Sequence, residues 1–418
     1  SKILLLYGNN GDKASASPVY YTTLYLAKIK RCGGLIMIYF DNSATSYVKP
    51  ECVIGALTSA ARHLSANPGR SGHSLSLRAG MLVYDTRKKA AALLGTESER
   101  IVFTSGCTQA LNLAILGTVM DGGNVITTAN EHNSVLRPLF ELQRKGRISV
   151  RVVPPNERGV ITAEAIERAI TPRTYLVAVN HISNVTGATC CIDEIGKLCH
   201  RKGIKLLVDG AQSVGYGEID VNEQNIDYLA VAPHKGLHAL QGVGLLALGK
   251  NAEINPVFFG GTGTESESVF QPRELPESLE AGTLPTPAIA ALNAAISQNQ
   301  KVRAEHRRKT AELSAYLIES LKKIRGVSVF TAPDVFNGLV TFSINGIGSM
   351  DAANVLSSQY DIAVRGGLHC APLIHRHLGT LRTGLIRASV NGDNTFDEGA
   401  FFLKAVQEIA ETEANGIL

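Results

Sequence analysis

Asp209 and Lys235 are the two residues whose types and spacing most clearly suggest chemistry. Asp209 directly follows the apolar segment 205–208, and Lys235 comes shortly after the apolar segment 227–232. Both segments are short and bounded by Gly or Pro, which is typical of buried strands. Side chains at the ends of such strands face the crevice where α/β proteins bind ligands. A lysine for a Schiff base and an aspartate for a pyridinium nitrogen suit pyridoxal phosphate. A helix-capping aspartate and a solvated lysine are the alternative, and two positions alone do not decide.

Other polar residues follow further predicted strands. The turn 104–108 precedes a predicted helix, so its backbone N–H groups suit a phosphate, although, taken alone, an ordinary βα turn is the favoured interpretation. His132 can stack on a planar ring or move a proton, or it can simply cap a helix. Asn184 ends another strand in the same way. Arg387 lies in an apolar segment, where a guanidinium needs a carboxylate partner from the protein or from a substrate.

A loop with two glycines carries Cys370, between Arg365 and Pro372. A thiol near Arg365 and His369 suits a reactive thiolate, and a small buried apolar side chain is the alternative. Together with His369 and Cys370, the nearby His375 and His377 also suggest a zinc site. That interpretation is disfavoured because no second Cys/His pair accompanies them, so no metal site is predicted.

Alternating strands and helices must position these residues. The pattern predicts a mostly parallel sheet covered by helices on both faces, which is the α/β class. Residues 242–248 are expected to add an edge strand, a helix is expected from Ala288, and residues from about 300 begin with a charged helix. The predicted strands are 101–104, 124–128, 150–153, 175–180 and 205–208, and the predicted helices are 54–64, 74–94, 107–117, 132–144, 162–170 and 191–202.

At 418 residues, the chain is expected to form more than one domain. We predict an extension over 1–36 that is weakly ordered or peripheral, although its composition also resembles a transit peptide. An N-terminal arm over 37–55 is expected to pack with a small domain. A large α/β domain over 56–299 and a small α+β domain over 300–418, which carries the Cys370 loop, complete the predicted organisation.

Composition limits the classes of partner and compartment. Hydrophobic residues make up 44% and charged residues 19% of the chain, which is ordinary for a globular enzyme. No apolar run approaches the ~20 residues that span a bilayer, so no membrane association is expected. The net charge of +4 falls within residues 1–37, so we expect no nucleic-acid partner. Seven cysteines without a CxxC pair favour a reducing compartment, the cytoplasm.

From Met37 to about Glu408 the chain resembles cysteine desulfurases of the class V aminotransferase family, in the group whose active cysteine lies in an R-x-G-x-H-C-A-P loop. The matching segments are IYFDNSATSYVKP (38–50), NPGRSGHSLS (67–76), FTSGCTQALNLA (103–114), EHNSVLRPL (131–139), HISNVTG (181–187), VDGAQSVG (208–215), HKG (234–236), EAGTLPTP (280–287) and RGGLHCAPLIHR (365–376).

The resemblance implies a fold-type I pyridoxal phosphate transferase. Such an enzyme converts L-cysteine to L-alanine, leaves a persulfide on Cys370 and passes the sulfur to an acceptor protein or thiol. The implied catalytic residues are Lys235 for the Schiff base, Cys370 and His132. The implied contacts of pyridoxal 5'-phosphate are Gly106, Cys107, Thr108, His132, Asp209, Gln212, His234 and Lys235, with Thr283 of the partner subunit of a homodimer. The implied substrate-binding residues are Asn184, Arg365 and Arg387.

The sequence differs from the family pattern at two places. Ala232 and Pro233 precede His234, where relatives often have a small hydroxyl residue or glycine, and Ala239-Leu240 stands where a Gly-Pro pair is usual before Gln241. Three alternatives stay open. They are a selenocysteine lyase, a class V aminotransferase that does not use Cys370, and a non-enzymatic pyridoxal-binding protein that relays sulfur.

Overall fold

The computed structural model describes residues 37–69, 71–333 and 335–414. The predicted extension over 1–36 lies outside the described residues. The described residues from Tyr39 to Ala414 belong to one compact unit. Among the described residues, no helix is both long enough and apolar enough to cross a membrane.

The strands and helices follow the predicted alternation closely. The strands are β1 Ile38–Tyr39, β2 Ile101–Thr104, β3 Gly123–Thr128, β4 Ile148–Val153, β5 Thr174–Asn180, β6 Lys205–Asp209, β7 Tyr228–Val231, β8 Gly244–Leu248, β9 Val327–Val329, β10 Leu339–Ile344, β11 Ile362–Ala363, β12 Arg365–Gly367 and β13 Leu385–Ser389. The α-helices are α1 Glu51–His63, α2 Ser74–Leu94, α3 Cys107–Gly117, α4 Asn133–Arg144, α5 Ala163–Ala169, α6 Ile192–Lys202, α7 Thr286–Leu321, α8 Ser349–Tyr360, α9 Pro372–His377 and α10 Phe396–Ala414.

Seven strands form the main sheet, in the order β2-β8-β7-β6-β5-β3-β4. The pairs among β7, β6, β5, β3 and β4 are parallel, and β8 is antiparallel to both of its neighbours. The prediction that residues 242–248 form an edge strand is wrong, because β8 lies between β2 and β7. Every residue of β8 is buried, as expected for a strand with neighbours on both sides.

Helices cover both faces of this sheet. Alternate residues of β5 enter different cores: Val177 and Val179 belong to one, and Leu176 and Ala178 to the other. The first core includes apolar side chains of α2, α6 and α7, and the second includes those of α3 and α4. Each fully buried Val or Leu contributes roughly 1.5–3 kcal/mol, so the two cores fix the strand ends that carry the polar residues.

A second sheet has four antiparallel strands, in the order β12-β13-β10-β9. Arg365 of β12 and Arg387 of β13 stand directly opposite each other in its register. The helix α7 is a single helix of 36 residues, and it passes through residue 300. The two helices expected from Ala288 and from about residue 300 are therefore one, because no Pro or Gly interrupts this segment beyond its first turn. The division into domains at 299/300 stays a prediction.

Candidate active site

A cavity of about 280 Å³ lies at the carboxyl-terminal edge of the main sheet. Five strands that point the same way end there, namely β2, β3, β5, β6 and β7. The loops after these strands bring together nine of the residues expected from the sequence. They are Gly106, Cys107, Thr108, His132, Asn184, Asp209, Gln212, His234 and Lys235.

Lys235 and Asp209 line this cavity together with Cys107. Burial lowers the pKa of the Lys235 amine, and the negative charge of Asp209 opposes that effect. Asp209 Oδ1 accepts a hydrogen bond from the backbone N–H of Ala211 at 2.9 Å, and the Cys107 Sγ lies 3.6 Å away. Burial and then the Asp209 charge raise the pKa of the Cys107 thiol well above its usual value. Cys107 is therefore a protonated hydrogen-bond donor.

The turn before α3 is shaped to accept an anion. Gly106 precedes the helix without a side-chain cap, and residues of the first turn line the cavity. Gly244 permits this arrangement, because a Cβ atom at that position would lie 2.4 Å from the carbonyl carbon of Gly106. Free N–H groups and the positive end of the helix dipole favour a phosphate.

His132 caps the amino terminus of α4. Its Nδ1 accepts a hydrogen bond from the backbone N–H of Ser134 at 3.1 Å, which leaves the proton of the neutral ring on Nε2. Burial lowers the pKa of His132 to about 4, so the ring is uncharged at neutral pH. The Ser134 hydroxyl also hydrogen-bonds to the Thr108 hydroxyl at 2.8 Å, which connects the His132 cap to the turn before α3.

The amino-terminal segment holds the loop that carries Lys235. His234 Nδ1 lies 3.0 Å from the Thr45 hydroxyl, and burial lowers the pKa of His234 to about 4. The His234 carbonyl accepts hydrogen bonds from the Ser46 hydroxyl at 3.0 Å and from Lys49 Nζ at 3.3 Å. Thr45, Ser46 and Lys49 were not among the predicted site residues, although they lie in the matching segment 38–50.

Two guanidinium groups lie at the edge of the site, outside the lining of the cavity. Arg387 is buried, and its Nη2 donates to Asp41 Oδ1 at 2.9 Å. Its Nη1 donates to the carbonyl of Asn184 at 3.1 Å, while its buried Nε has no hydrogen-bond partner. Asp41 is thus a protein carboxylate that partners Arg387, and the sequence analysis did not identify it. The open Nε of Arg387 and the neighbouring Arg365 are donors suited to a second carboxylate.

Asn184 connects the cavity to the loop of Cys370. Its Nδ2 donates to the carbonyl of His369 at 2.7 Å, and its buried Oδ1 has no hydrogen-bond partner. The side-chain N–H group of Asn184, which was expected to bind a substrate carboxylate, therefore already donates to His369. An unpaired buried oxygen is costly, which favours a polar ligand at this point.

Cys370 lies beside the cavity and is held there by its backbone. Its carbonyl accepts a hydrogen bond from the N–H of Asn133 at 2.7 Å, next to His132. Arg365 Nη2 lies 3.6 Å from the Cys370 Sγ. His369 and Cys370 both have left-handed backbones, with φ of 51° and 57°, which is strained for residues other than glycine.

His369 does not supply the positive charge that the sequence suggested near the thiol. Burial, followed by the charge of Arg387, lowers the pKa of His369 to about 2, so the ring is neutral. Its Nε2 lies 3.2 Å from the carbonyl of Arg365. Arg365 is therefore the charged neighbour of Cys370.

Residues 38–399 match the family described as aminotransferase class-V. This chain belongs to that family. A relative from Methanothermobacter thermautotrophicus, described as a probable cysteine desulfurase, is 33% identical over 381 residues, which cover 89% of this chain and 94% of the relative. A second probable cysteine desulfurase, from Synechocystis sp., is 34% identical over 389 residues, which cover 89% of this chain and 90% of the relative.

A solved structure is also similar to this aminotransferase class-V protein. The apo structure of cysteine desulfurase from Thermococcus onnurineus NA1 superposes with a TM-score of 0.84 at 31% identity, covering 90% of this chain and 95% of that chain. The resemblance to cysteine desulfurases of this family and the expected fold-type I α/β architecture are confirmed.

Four residues expected from the family resemblance do not line the cavity, namely Thr283, Arg365, Cys370 and Arg387. Thr283 is exposed and does not contribute to the lining in a single chain of this family member.

Glu131 was not among the residues predicted from the sequence. Its buried carboxyl accepts hydrogen bonds from the Thr128 hydroxyl and from the N–H of Asn180. Burial raises the pKa of Glu131 to about 8. Glu131 joins the ends of β3 and β5, and its sequence signal is only its position beside His132.

Proposed function

We propose that this aminotransferase class-V protein is a cysteine desulfurase that converts L-cysteine to L-alanine and receives the sulfur on Cys370. Its relatives are described as cysteine desulfurases over nearly the whole chain. The observation that carries the proposal is the hydrogen bond from the N–H of Asn133 to the carbonyl of Cys370. It holds the loop of this thiol next to His132, which lines the polar cavity.

The cavity suits pyridoxal 5'-phosphate. The turn before α3 offers N–H donors for the phosphate, Asp209 offers a carboxylate for the ring nitrogen, and neutral His132 offers a flat face for the ring. Gln212 lines the same wall, and its Nε2 donates to the Ser43 carbonyl at 3.1 Å. When bound, the cofactor supplies an electron sink for the charge that develops at the substrate Cα.

Lys235 serves as the base that moves the Cα proton, because burial favours its uncharged amine. Arg387 and Arg365 orient the substrate by its carboxylate, with Asn184 between them and the cavity. Cys370 then attacks the substrate sulfur. A new S–S bond forms as the C–S bond of the substrate breaks, and the electron pair of that bond passes to the carbon that becomes the methyl group of alanine.

The proposal predicts equal yields of alanine and persulfide in one turnover without an added thiol. We would mix the protein, loaded with pyridoxal phosphate, with L-cysteine and measure both products. Alanine without persulfide on Cys370 would contradict the proposal. Faster turnover of L-selenocysteine than of L-cysteine would indicate a selenocysteine lyase. Accumulation of pyridoxamine phosphate would indicate an aminotransferase, and no product at all would indicate a non-enzymatic relay protein.

We further propose that the chain acts as a homodimer in which Thr283 of the partner subunit completes the phosphate site. Thr283 is exposed and lies outside the cavity of its own chain. Leu77, Met81 and Tyr84 form an exposed apolar stripe along α2, which suits burial against a second copy. Sedimentation should give a dimer, and Met81→Glu should shift it toward monomers that bind pyridoxal phosphate more weakly. A monomeric wild-type protein with full cofactor affinity would contradict this.

A further inference from the structure

The side chains of two histidines and an aspartate lie close together outside the lining of the cavity. One of them, His238, comes shortly after Lys235 in the sequence. One ligand atom from each of His238, His306 and Asp393 lies within 4.8 Å of the ligand atoms of the other two. His238 Nδ1 is 3.7 Å from Asp393 Oδ2, and His306 Nε2 is 3.9 Å from Asp393 Oδ1. The three residues come from distant parts of the sequence, so their proximity is a product of the fold. We call them the His238 cluster.

Two backbone features hold the His238 cluster together. His238 has a left-handed backbone with φ of 56°, a conformation that disfavours any residue with a Cβ. Gly392 packs directly on the helix α7, since a Cβ at that position would lie 2.7 Å from the Cα of His306. That close approach brings the adjacent Asp393 to His306. Strain at one ligand and a required glycine beside another indicate a constrained arrangement rather than a chance surface contact.

An ordinary ion pair accounts poorly for these contacts. Both His–Asp separations exceed the usual hydrogen-bond length of about 3 Å. His238 Nδ1 also lies 3.2 Å from the carbonyl oxygen of Val48, which can only accept a hydrogen bond, so Nδ1 carries a proton and Nε2 is the ring nitrogen left for another partner. An imidazole whose Nδ1 donates to a backbone carbonyl is oriented to offer Nε2 to a metal ion.

We propose that His238, His306 and Asp393 bind a divalent transition-metal cation, for which Zn²⁺ is the best match. Two imidazoles and one carboxylate form a ligand set that Zn²⁺ accepts, with water in the fourth position. Ligand atoms around Zn²⁺ at about 2.0–2.2 Å are roughly 3.4 Å apart, so ligand atoms that lie within 4.8 Å of one another reach that spacing by side-chain rotation. The side chains of His306 and Asp393 are 31% and 29% exposed, which leaves a path for the ion.

A metal ion at the His238 cluster would connect three parts of the protein. His238 lies in the loop that follows Lys235, His306 lies in the middle of α7, and Asp393 precedes α10. The bound ion would therefore restrain the loop after Lys235 from outside the lining of the cavity. This inference does not depend on the proposed desulfurase activity.

The test is metal binding by the full chain loaded with pyridoxal phosphate. After removal of metals with a chelator, we would titrate with Co²⁺, follow its visible absorption, and repeat with Zn²⁺ in competition. One Co²⁺ per chain should show the spectrum of nitrogen and oxygen ligands. His238→Ala, His306→Ala and Asp393→Asn should each weaken binding at least about tenfold. His200→Ala changes an exposed histidine of α6 and should leave the affinity unchanged.

Cysteine thiolates are the main competing ligands, so each titration is repeated in a Cys370→Ser background. Persistence of the cobalt spectrum in that background supports the His238 cluster. Zn²⁺ should also raise the melting temperature of the wild type and not that of His306→Ala. The proposal is overturned if no Co²⁺ binds, if the three cluster variants bind it as tightly as the wild type, or if the spectrum shows thiolate ligation that Cys370→Ser removes.

Discussion

Arg365 and Arg387 stand directly opposite each other on antiparallel strands, so their side chains share one face of the small sheet. Like charges in this position destabilise a sheet, and nearby anions offset their repulsion. Asp41 neutralises Arg387, and the Cys370 sulfur lies at the guanidinium of Arg365. The substrate carboxylate and the active thiol are therefore proposed to share one positively charged edge.

We predict that Arg387→Gln weakens substrate binding. Loss of a charge-assisted hydrogen bond costs about 1.5–3 kcal/mol, which corresponds to a roughly tenfold to hundredfold rise in KM. Asp41→Asn serves as the comparison, because it removes the competing protein carboxylate and leaves the guanidinium in place. That variant should keep or lower KM while it loses stability, since the buried Arg387 is left unpaired.

Arg382→Gln is the control for a change of charge alone, because Arg382 is exposed in the turn before β13, the strand that carries Arg387. Its kinetics should equal those of the wild type. If KM stays the same in Arg387→Gln while the melting temperature falls, Arg387 acts only through its ion pair with Asp41.

We predict that Cys370→Ser abolishes sulfur release from cysteine, because a hydroxyl is a poor acceptor of sulfur. Binding of pyridoxal phosphate should be unchanged, since this thiol does not line the cavity. Cys107→Ser is the matched control. Cys107 lies closer to the cofactor site, but the raised pKa of its thiol keeps it protonated and non-nucleophilic.

Mass spectrometry of the wild type after cysteine treatment should find one added sulfur atom on the peptide that contains Cys370. A persulfide on Cys107, Cys190 or Cys191 would exclude the mechanism proposed here. So would a Cys370→Ser protein that releases sulfur at the wild-type rate.

The sequence predicted most of this site because a parallel sheet places strand ends at one edge. Asp209 and Lys235 could be expected in one crevice from two apolar segments alone. The ion pair between Asp41 and Arg387 could not be predicted from the sequence. It joins residues 346 positions apart, on elements whose pairing depends on tertiary contacts. The neutral state of His369 was equally hidden, since it follows from burial and not from its neighbours in sequence.

Strand order shows a similar limit. The apolar run of β8 predicted a strand, but period and composition carry no information about which strands are neighbours. The segment directly after the Lys235 loop was expected at the edge of the sheet, whereas the antiparallel β8 lies between β7 and β2.

We predict that borohydride reduction of the protein with bound pyridoxal phosphate attaches the cofactor to Lys235. Lys49 is the stringent comparison, because burial lowers its pKa to about 8 and its Nζ lies 3.3 Å from the His234 carbonyl. Both amines have lowered pKa values, but of the two only Lys235 lines the cavity. Peptide mapping should find the label on Lys235 and none on Lys49, and a label on Lys49 in the wild type would overturn the assignment.

We predict that acid destabilises the protein between pH 6.5 and 4 through buried neutral histidines. Burial lowers the pKa of His181 to about 4, and its Nδ1 has no hydrogen-bond partner. The unfolded chain takes up a proton near pH 6.5, whereas the folded chain does so only near pH 4. The contribution of His181 to the free energy of unfolding is therefore fully present above pH 6.5. It is lost as the pH falls, by about 2 kcal/mol between pH 7 and 5.

The measurement is the free energy of unfolding of wild type and His181→Gln from pH 7 to 5, at a fixed concentration of pyridoxal phosphate. The variant is needed because Glu131 works in the opposite direction. Its raised pKa, about 8, means that its contribution increases as the pH falls toward 4.5. The difference between the two proteins isolates the histidine, since Glu131 is common to both. The variant should lose less stability than the wild type over this range, and parallel curves would show that His181 does not take up the proton.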